Sequence, residues 1–445
     1  MLYVVFVSFV AALGGFLFGY DLVMISGAVI FLKEEFGLSA AGLGFTTASA
    51  VIGCIAGPIA GMRLCDLLGR KRTLIAANLL FGISAIGTAL PETIDQFNFF
   101  RVIGGIGCGL VSVASPMYLA EIAPARLRGR LVMMYQLAIV VGAFSATLVA
   151  YYLAFFEAWR WMFASELVPI LVFGVLLTLI PRTPRWLAQQ NRYQEARRVL
   201  ARINGREKAE GLLQEIRESL AEETGAFSEL LKPGIRTAFA VAVLLAVFSQ
   251  WTGWSVVASY LPILLLKAGF ADASDAIFQY AMVNGINIGL TLVSMSLVDR
   301  VGRRPIWLVT SLGMVFGVTL LGAIFHFNLT GFVVVGAVLM CAWPHVIGLG
   351  PLAWVMMSEV LPTRVRARAV SIATMCLWIA NYSGVHAFPV LLELSEERFG
   401  SPAAVFWIFT LTCALAFVFG WKFVPETKGK SLEKIARDCR HSGNR

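Results

Sequence analysis

The chain has 445 residues, of which 58% are hydrophobic and only 14% charged, and its net charge is +9. A soluble protein of this length needs far more charge to cover its surface, so a water-soluble enzyme or binding domain is excluded. The excess of cations does not point to nucleic acid either, because Lys and Arg are dealt out between apolar runs and form no single patch.

Apolar runs of the length that crosses a bilayer, about 20 residues, recur at 3–31, 42–64, 73–91, 95–120, 130–155 and 160–181, and again at 237–266, 275–298, 305–326, 330–358, 367–393 and 402–424. Hydrocarbon leaves the backbone no outside partner, and runs of this length satisfy it as helices. The predicted fold class is an all-α membrane protein with twelve transmembrane helices in two six-helix halves. The predicted domains are 1–181, a helical linker 182–236, 237–424 and a tail 425–445. The first run begins almost at Met1, but it is too long for a signal peptide and eleven more follow, so it is read as an uncleaved helix.

Within that first run sits Asp21, flanked by Phe16, Phe18 and Tyr20. An ionisable residue inside a span is a functional candidate by default. Desolvation favours its protonated form and a neighbouring cation favours the carboxylate. Arg101, in the fourth run, is the expected cation, and Glu166 in the sixth is a second acidic candidate.

Lys and Arg cluster after alternate runs: Arg70, Lys71 and Arg72; Arg126, Arg128 and Arg130; the 182–236 stretch; Arg300, Arg303 and Arg304; Arg364, Arg366 and Arg368; and the tail after Lys422. The opposite loops carry little beyond Lys33, Arg160, Lys267 and Arg398. This bias predicts that both termini and the linker lie in the cytoplasm of a multi-pass cell-membrane protein, with a bacterial inner membrane as the expected setting. In the linker, Thr183-Pro184 reads as a helix start, 193–203 as amphipathic, and Asn204-Gly205 as a stop. Glu393, Glu396 and Glu397 are read as solvated.

The two flanks of the linker repeat each other. Asp66-Leu67-Leu68-Gly69-Arg70-Lys71 follows the second run and Asp299-Arg300-Val301-Gly302-Arg303-Arg304 the eighth. Glu121 and Glu359 each open the pattern E-x-x-P-x-R-x-R-x-R, after the fourth and tenth runs. Such duplication places a substrate between the halves, near the midplane. Asp66, Arg70, Glu121, Arg128, Asp299, Arg303, Glu359 and Arg366 are expected to form a gate network of ion pairs at the cytoplasmic face, with Gly69 and Gly302 making the tight turns.

Polar side chains inside the remaining spans are sparse. Gln136, Gln250, Asn287 and Asn381 supply amides that both donate and accept. Trp354, Trp378 and Phe18 supply aromatic surface, and Ser255 and Tyr260 accompany Gln250. The seven cysteines and four histidines show no ligand spacing, so no metal or cofactor is expected. His345 and His386 have contact with a cavity as an alternative but are read as satisfied core or helix-end residues. No phosphate-binding loop is present, so a nucleotide drives nothing here.

The chain resembles the major facilitator superfamily, specifically its sugar porter family in the form of the bacterial xylose/proton symporters. The resemblance covers essentially the whole chain. It is carried by Gly19-Tyr20-Asp21, by 101–109, by Pro116-Met117-Tyr118-Leu119-Ala120-Glu121, by Trp159-Arg160-Trp161 through Glu166, by Pro181-Arg182-Thr183-Pro184-Arg185, and by Gly348-Leu349-Gly350-Pro351 with Trp354. It implies alternating access around one central site, proton coupling through Asp21 beside Arg101, sugar contacts from the amides and tryptophans above, and a functional monomer in the bilayer. Passive members generally carry Asn at the position of Asp21. Several positions depart from the family pattern: Ser249 before Gln250 in place of Gln, Ser255 in place of Asn, Ser259 in place of Tyr, Val346 in place of an acid, Leu377 in place of a polar residue, and Arg182 in place of Glu. Trp251 and Trp254 add aromatic bulk, so a deoxy-sugar, cyclitol or glycoside suits the pocket as well as a plain sugar. The expected function is therefore proton-coupled import of a sugar or polyol. The alternatives are uniport and, in a different class, a membrane sugar sensor. An enzyme would need a nucleophile–base or metal set, and none is found.

Overall fold

The computed structural model of the chain describes residues 2–124, 127–222, 229–230, 232, 235–361 and 363–428. The first half comprises α1 (Leu2–Glu35), α2 (Ala40–Leu67), α3 (Arg70–Ala89), α4 (Ile94–Ile122), α5 (Arg128–Ala154), α6 (Trp159–Ala164) and α7 (Leu167–Leu179). The linker holds α8 (Pro184–Gln189), α9 (Tyr193–Asn204) and α10 (Arg206–Glu222). The second half comprises α11 (Arg236–Trp251), α12 (Trp254–Lys267), α13 (Ala273–Val301), α14 (Arg303–His326), α15 (Phe332–Pro344), α16 (Gly350–Glu359), α17 (Thr363–Phe399) and α18 (Ala403–Phe423). Among the described residues, twelve helical spans are long and apolar enough to cross a membrane.

The expected spans are present, but three are interrupted. The sixth is broken at Ser165–Glu166 between α6 and α7, and the seventh at Thr252–Gly253 between α11 and α12. The tenth carries a π-helical turn, His345–Leu349, between α15 and α16. Hydropathy does not register such breaks, because the flanking residues stay apolar. Gly253 makes its break possible: its φ of 93° lies where L side chains are strained.

One end of the bundle carries the Arg clusters and is called the basic end. Gly69 (φ 84°) and Gly302 (φ 108°) turn the chain there, at matching points of the two halves. At the opposite end, Ser39, Thr93 and Asp272 cap the helices that follow them by accepting from the backbone N–H of Gly42, Gln96 and Asp275. Two ion pairs also tie helices there, Arg160–Glu35 at 2.8 Å and Lys267–Glu396 at 2.5 Å. Glu396 is thus paired, not merely solvated as its outer-loop position suggested.

The halves meet along α2 with α17 and α5 with α13, and α1 joins α12 towards the opposite end. Val29, Ile30 and Leu43 of the first half share one buried cluster with Tyr260, Leu261 and Leu264 of the second. The linker is amphipathic as expected. Trp186, Leu187, Leu200 and Leu213 form its own small core, and Gly205 (φ 92°) terminates α9. The linker docks on the basic end through Trp186, whose ring N–H donates to the Asp66 carbonyl at 3.1 Å.

Candidate functional site

The site is built where the apolar spans admit polarity. Asp21 on α1 and Arg101 on α4 are each 1% exposed, and Arg101 Nη1 donates to Asp21 Oδ1 at 2.7 Å. Arg101 Nη2 reaches the Asp21 backbone carbonyl at 3.2 Å, and the Cys108 thiol lies 3.5 Å from Oδ2. The Phe163 ring lies 5.6 Å from the guanidinium carbon. Glu166, at the break between α6 and α7, is also 1% exposed, lies near enough to feel the charges of both Asp21 and Arg101, and has an Oε1 without a hydrogen-bond partner. Two carboxylates and one guanidinium leave one surplus negative charge in the dry interior, and a single proton cancels it. Burying an uncompensated charge costs several kcal/mol. Sequence reading named these three residues. It missed Cys108 and Ser84, which crowd the pair: a Cβ at Gly104 would sit 2.4 Å from Ser84 Oγ and 3.3 Å from Asp21 Oδ1.

The second polar group surrounds the break in the seventh span. Gln250 ends α11 and Ser255 opens α12, so the kink brings them together. Gln250 Oε1 accepts from Ser255 Oγ at 2.8 Å and from Asn381 Nδ2 of α17 at 2.8 Å, while its Nε2 donates to Ser249 at 3.2 Å. Trp378, one turn before Asn381, packs against Phe18 of the other half with ring centres 5.9 Å apart, and its ring N–H has no partner. Asn287 on α13 is 4% exposed with its Oδ1 also unpartnered. Gln136 and Trp354 are half-buried on α5 and α16. Tyr260 stands apart from this group. Its hydroxyl donates to the Val385 carbonyl at 2.8 Å and its ring stacks on Phe388, where the halves close at the opposite end. A separate cavity of about 480 Å³, among α1, α5 and α7, is lined by apolar side chains with Tyr20 and Ser165 and offers no amide to a polyol.

The residues expected at a gate form matching ion-pair clusters, one in each half. Arg70 pairs with Glu121 at 2.8 Å and, more loosely, with Asp66 at 3.9 Å. Arg303 pairs with Glu359 at 3.1 Å. Each arginine also donates to a carbonyl of the preceding helix, Arg70 to Cys65 at 3.0 Å and Arg303 to Val298 at 3.3 Å. Arg366 caps the Leu361 carbonyl at 3.1 Å. The side chains of Arg128 and Asp299 lie outside the described residues. These pairs join helices of the same half.

Sequence reading assigned nothing to Glu426, yet it accepts backbone N–H groups of Arg303 and Arg304 at 3.1 Å each, and Thr427 donates to Glu359 at 2.5 Å. Burial pushes the Glu426 carboxyl up, but N–H donors from Lys428, Arg303, Arg304 and Thr427 outweigh it and hold the group below the usual carboxylate range. The signal was available: Pro425-Glu426-Thr427 follows the twelfth span as Pro181-Arg182-Thr183 follows the sixth.

Twelve apolar spans in two halves, a buried group of two carboxyls and a guanidinium, and a broken seventh span lined by amides suit a membrane transporter. The Sugar (and other) transporter family matches residues 7–439, and the chain belongs to it. It is 37% identical to the D-xylose-proton symporter of Escherichia coli K12, over 97% of this chain and 95% of that protein. It is 36% identical to the arabinose-proton symporter of Bacillus subtilis, over 98% and 95% of the two chains. Among solved structures, the partially occluded inward-open xylose transporter XylE from E. coli superposes with a TM-score of 0.86 at 35% identity, covering 97% of this chain and all of that one. XylE bound to 6-bromo-6-deoxy-D-glucose gives 0.82 at 36% identity, covering 98% of each.

Proposed function

We propose that the chain imports a sugar or sugar-like polyol together with one proton, by alternating access between its halves, as a monomer in a bacterial inner membrane with its basic end in the cytoplasm. The halves divide at 181/182 and 236/237, with the linker between them and a tail from 425. The observation that carries the coupling is the Asp21–Arg101–Glu166 triad, whose surplus charge one proton removes.

The steps follow from the residues. With the opposite end open, a proton reaches Asp21 and weakens its hold on Arg101, which turns to Glu166. Solute then binds between Gln250, Asn287, Asn381 and Trp378 from one half and Phe18 and Gln136 from the other. Its hydroxyls take the unpartnered Trp378 N–H and Asn287 Oδ1. Closure of α1 on α12 seals the opposite end. The Arg70–Glu121 and Arg303–Glu359 networks rearrange, and solute and proton leave at the basic end. Relatives named for xylose, arabinose and galactose symport support a sugar of five or six carbons. The aromatic bulk of Trp254 and the serines at 249 and 255 favour one less polar than a free hexose. The test is uptake of D-xylose, arabinose, D-galactose, a deoxy-hexose and a cyclitol into proteoliposomes with an imposed pH gradient. Accumulation of one of them above the external concentration is expected. Uptake of none, or equilibration only, overturns the reading.

A further inference from the structure

We infer that His345 is a solute-contacting residue, hydrogen-bonding a hydroxyl of the bound sugar; this rests on the sugar-transport reading above. The sequence suggested a satisfied core histidine, and the geometry says otherwise. His345 opens the π-helical turn of the tenth span, halfway through the bundle. Its Nδ1 is buried with no hydrogen-bond partner, although the ring is only half-buried. A buried polar atom left unsatisfied costs about 1–3 kcal/mol, and extra residues of this kind in a helix mark functional positions. The turn is fixed in place. Ser294 of α13, the helix that carries Asn287, donates to the Ile347 carbonyl at 2.8 Å.

The neighbours of the ring lead to the solute group. The Trp254 ring lies 6.2 Å away, tilted at 32°. Trp254 is flanked by Gly253, which breaks the seventh span, and by Ser255, which bonds Gln250. On the other side, a Cβ at Gly350 would come within 3.0 Å of His345 Nε2, so the absence of a side chain there leaves the imidazole its room. A neutral imidazole has one donor and one acceptor, and it suits a hydroxyl, which is both. It supplies polarity that Ser249 and Ser255 provide only weakly.

The test is equilibrium binding to purified, full-length wild type, His345→Phe and His345→Gln. The probes are whichever of D-xylose, arabinose, D-galactose and D-glucose the wild type binds most tightly, and its monodeoxy analogues. His345→Phe is expected to weaken the parent sugar about tenfold, the worth of one good hydrogen bond. For one deoxy analogue, wild type and His345→Phe should bind alike, and His345→Gln should recover part of the parent's affinity. A purely structural role would weaken every analogue by the same factor, and that result, or no weakening at all, overturns this inference while leaving sugar transport intact. A wild type that binds none of the four sugars overturns both.

Discussion

Gln250 shows how a single amide can organise a site. Its carbonyl oxygen takes two donors, from Ser255 and Asn381, and its N–H₂ reaches Ser249. Gln250→Ala leaves three polar side chains without that partner. The half-saturation concentration for uptake is expected to rise about tenfold or more, with folding retained; unchanged uptake kinetics would remove Gln250 from the solute group. Glu426 gives a pH-dependent prediction. Because the folded state holds its carboxyl below the ordinary range, its stabilisation is complete above the unfolded value near ~4.3 and is lost as pH falls through the folded value. The thermal stability of wild type should exceed that of Glu426→Gln at neutral pH, and the gap should close on acidification below about pH 4. A gap that stays constant with pH would rule out this role. At this scale the sequence was informative about identity and, for Asp21 with Arg101, about pairing. Asp21, Arg101 and Glu166 stood out because charge inside an apolar run is rare. That His345 Nδ1 lacks a partner depends on how α13 and α14 pack against its turn, which no local pattern encodes.

At the scale of elements, close helix contacts are set by residues without side chains. A Cβ at Gly105 of α4 would lie 1.8 Å from the Ala50 carbonyl oxygen of α2, a rigid backbone atom. Gly105→Ala is therefore expected to destabilise the first half by at least about 1–3 kcal/mol, read as an earlier, broader transition in detergent. A wild-type melting curve would mean that the two helices can part freely. Gly104, Gly105, Gly107 and Gly109 make the fourth span such a packing face. The breaks were legible only in part. Thr252-Gly253 had its glycine; at Ser165–Glu166 the signal was displaced, because Pro169, four residues on, has no N–H for the Ser165 carbonyl, and Tyr20 Oη meets Ser165 Oγ at 2.7 Å. α10 was also missed as a separate helix, since its polar face dilutes the apolar signal.

For the whole molecule, the twelve spans and the duplicated six-helix design were legible because bilayer thickness fixes span length and repeated loop motifs fix the symmetry. How the halves meet was not, because the α2–α17 contact joins residues more than 300 positions apart. Ser371 Oγ lies 3.4 Å from Met62 Sδ, tying those helices near the basic end. A Met62→Cys/Ser371→Cys disulfide should arrest solute counterflow under oxidant, and reductant should restore it. Full counterflow in the oxidised, cross-linked protein would show that the halves need not separate there.

The central claim is that one proton on the Asp21–Arg101–Glu166 triad drives the cycle. It is tested most directly by comparing wild type with Asp21→Asn in proteoliposomes under an imposed pH gradient, measuring both net accumulation and solute exchange. The account predicts that wild type concentrates solute above the external level, while Asp21→Asn exchanges or equilibrates it and never concentrates it. Equal, gradient-driven accumulation by both proteins would contradict the account.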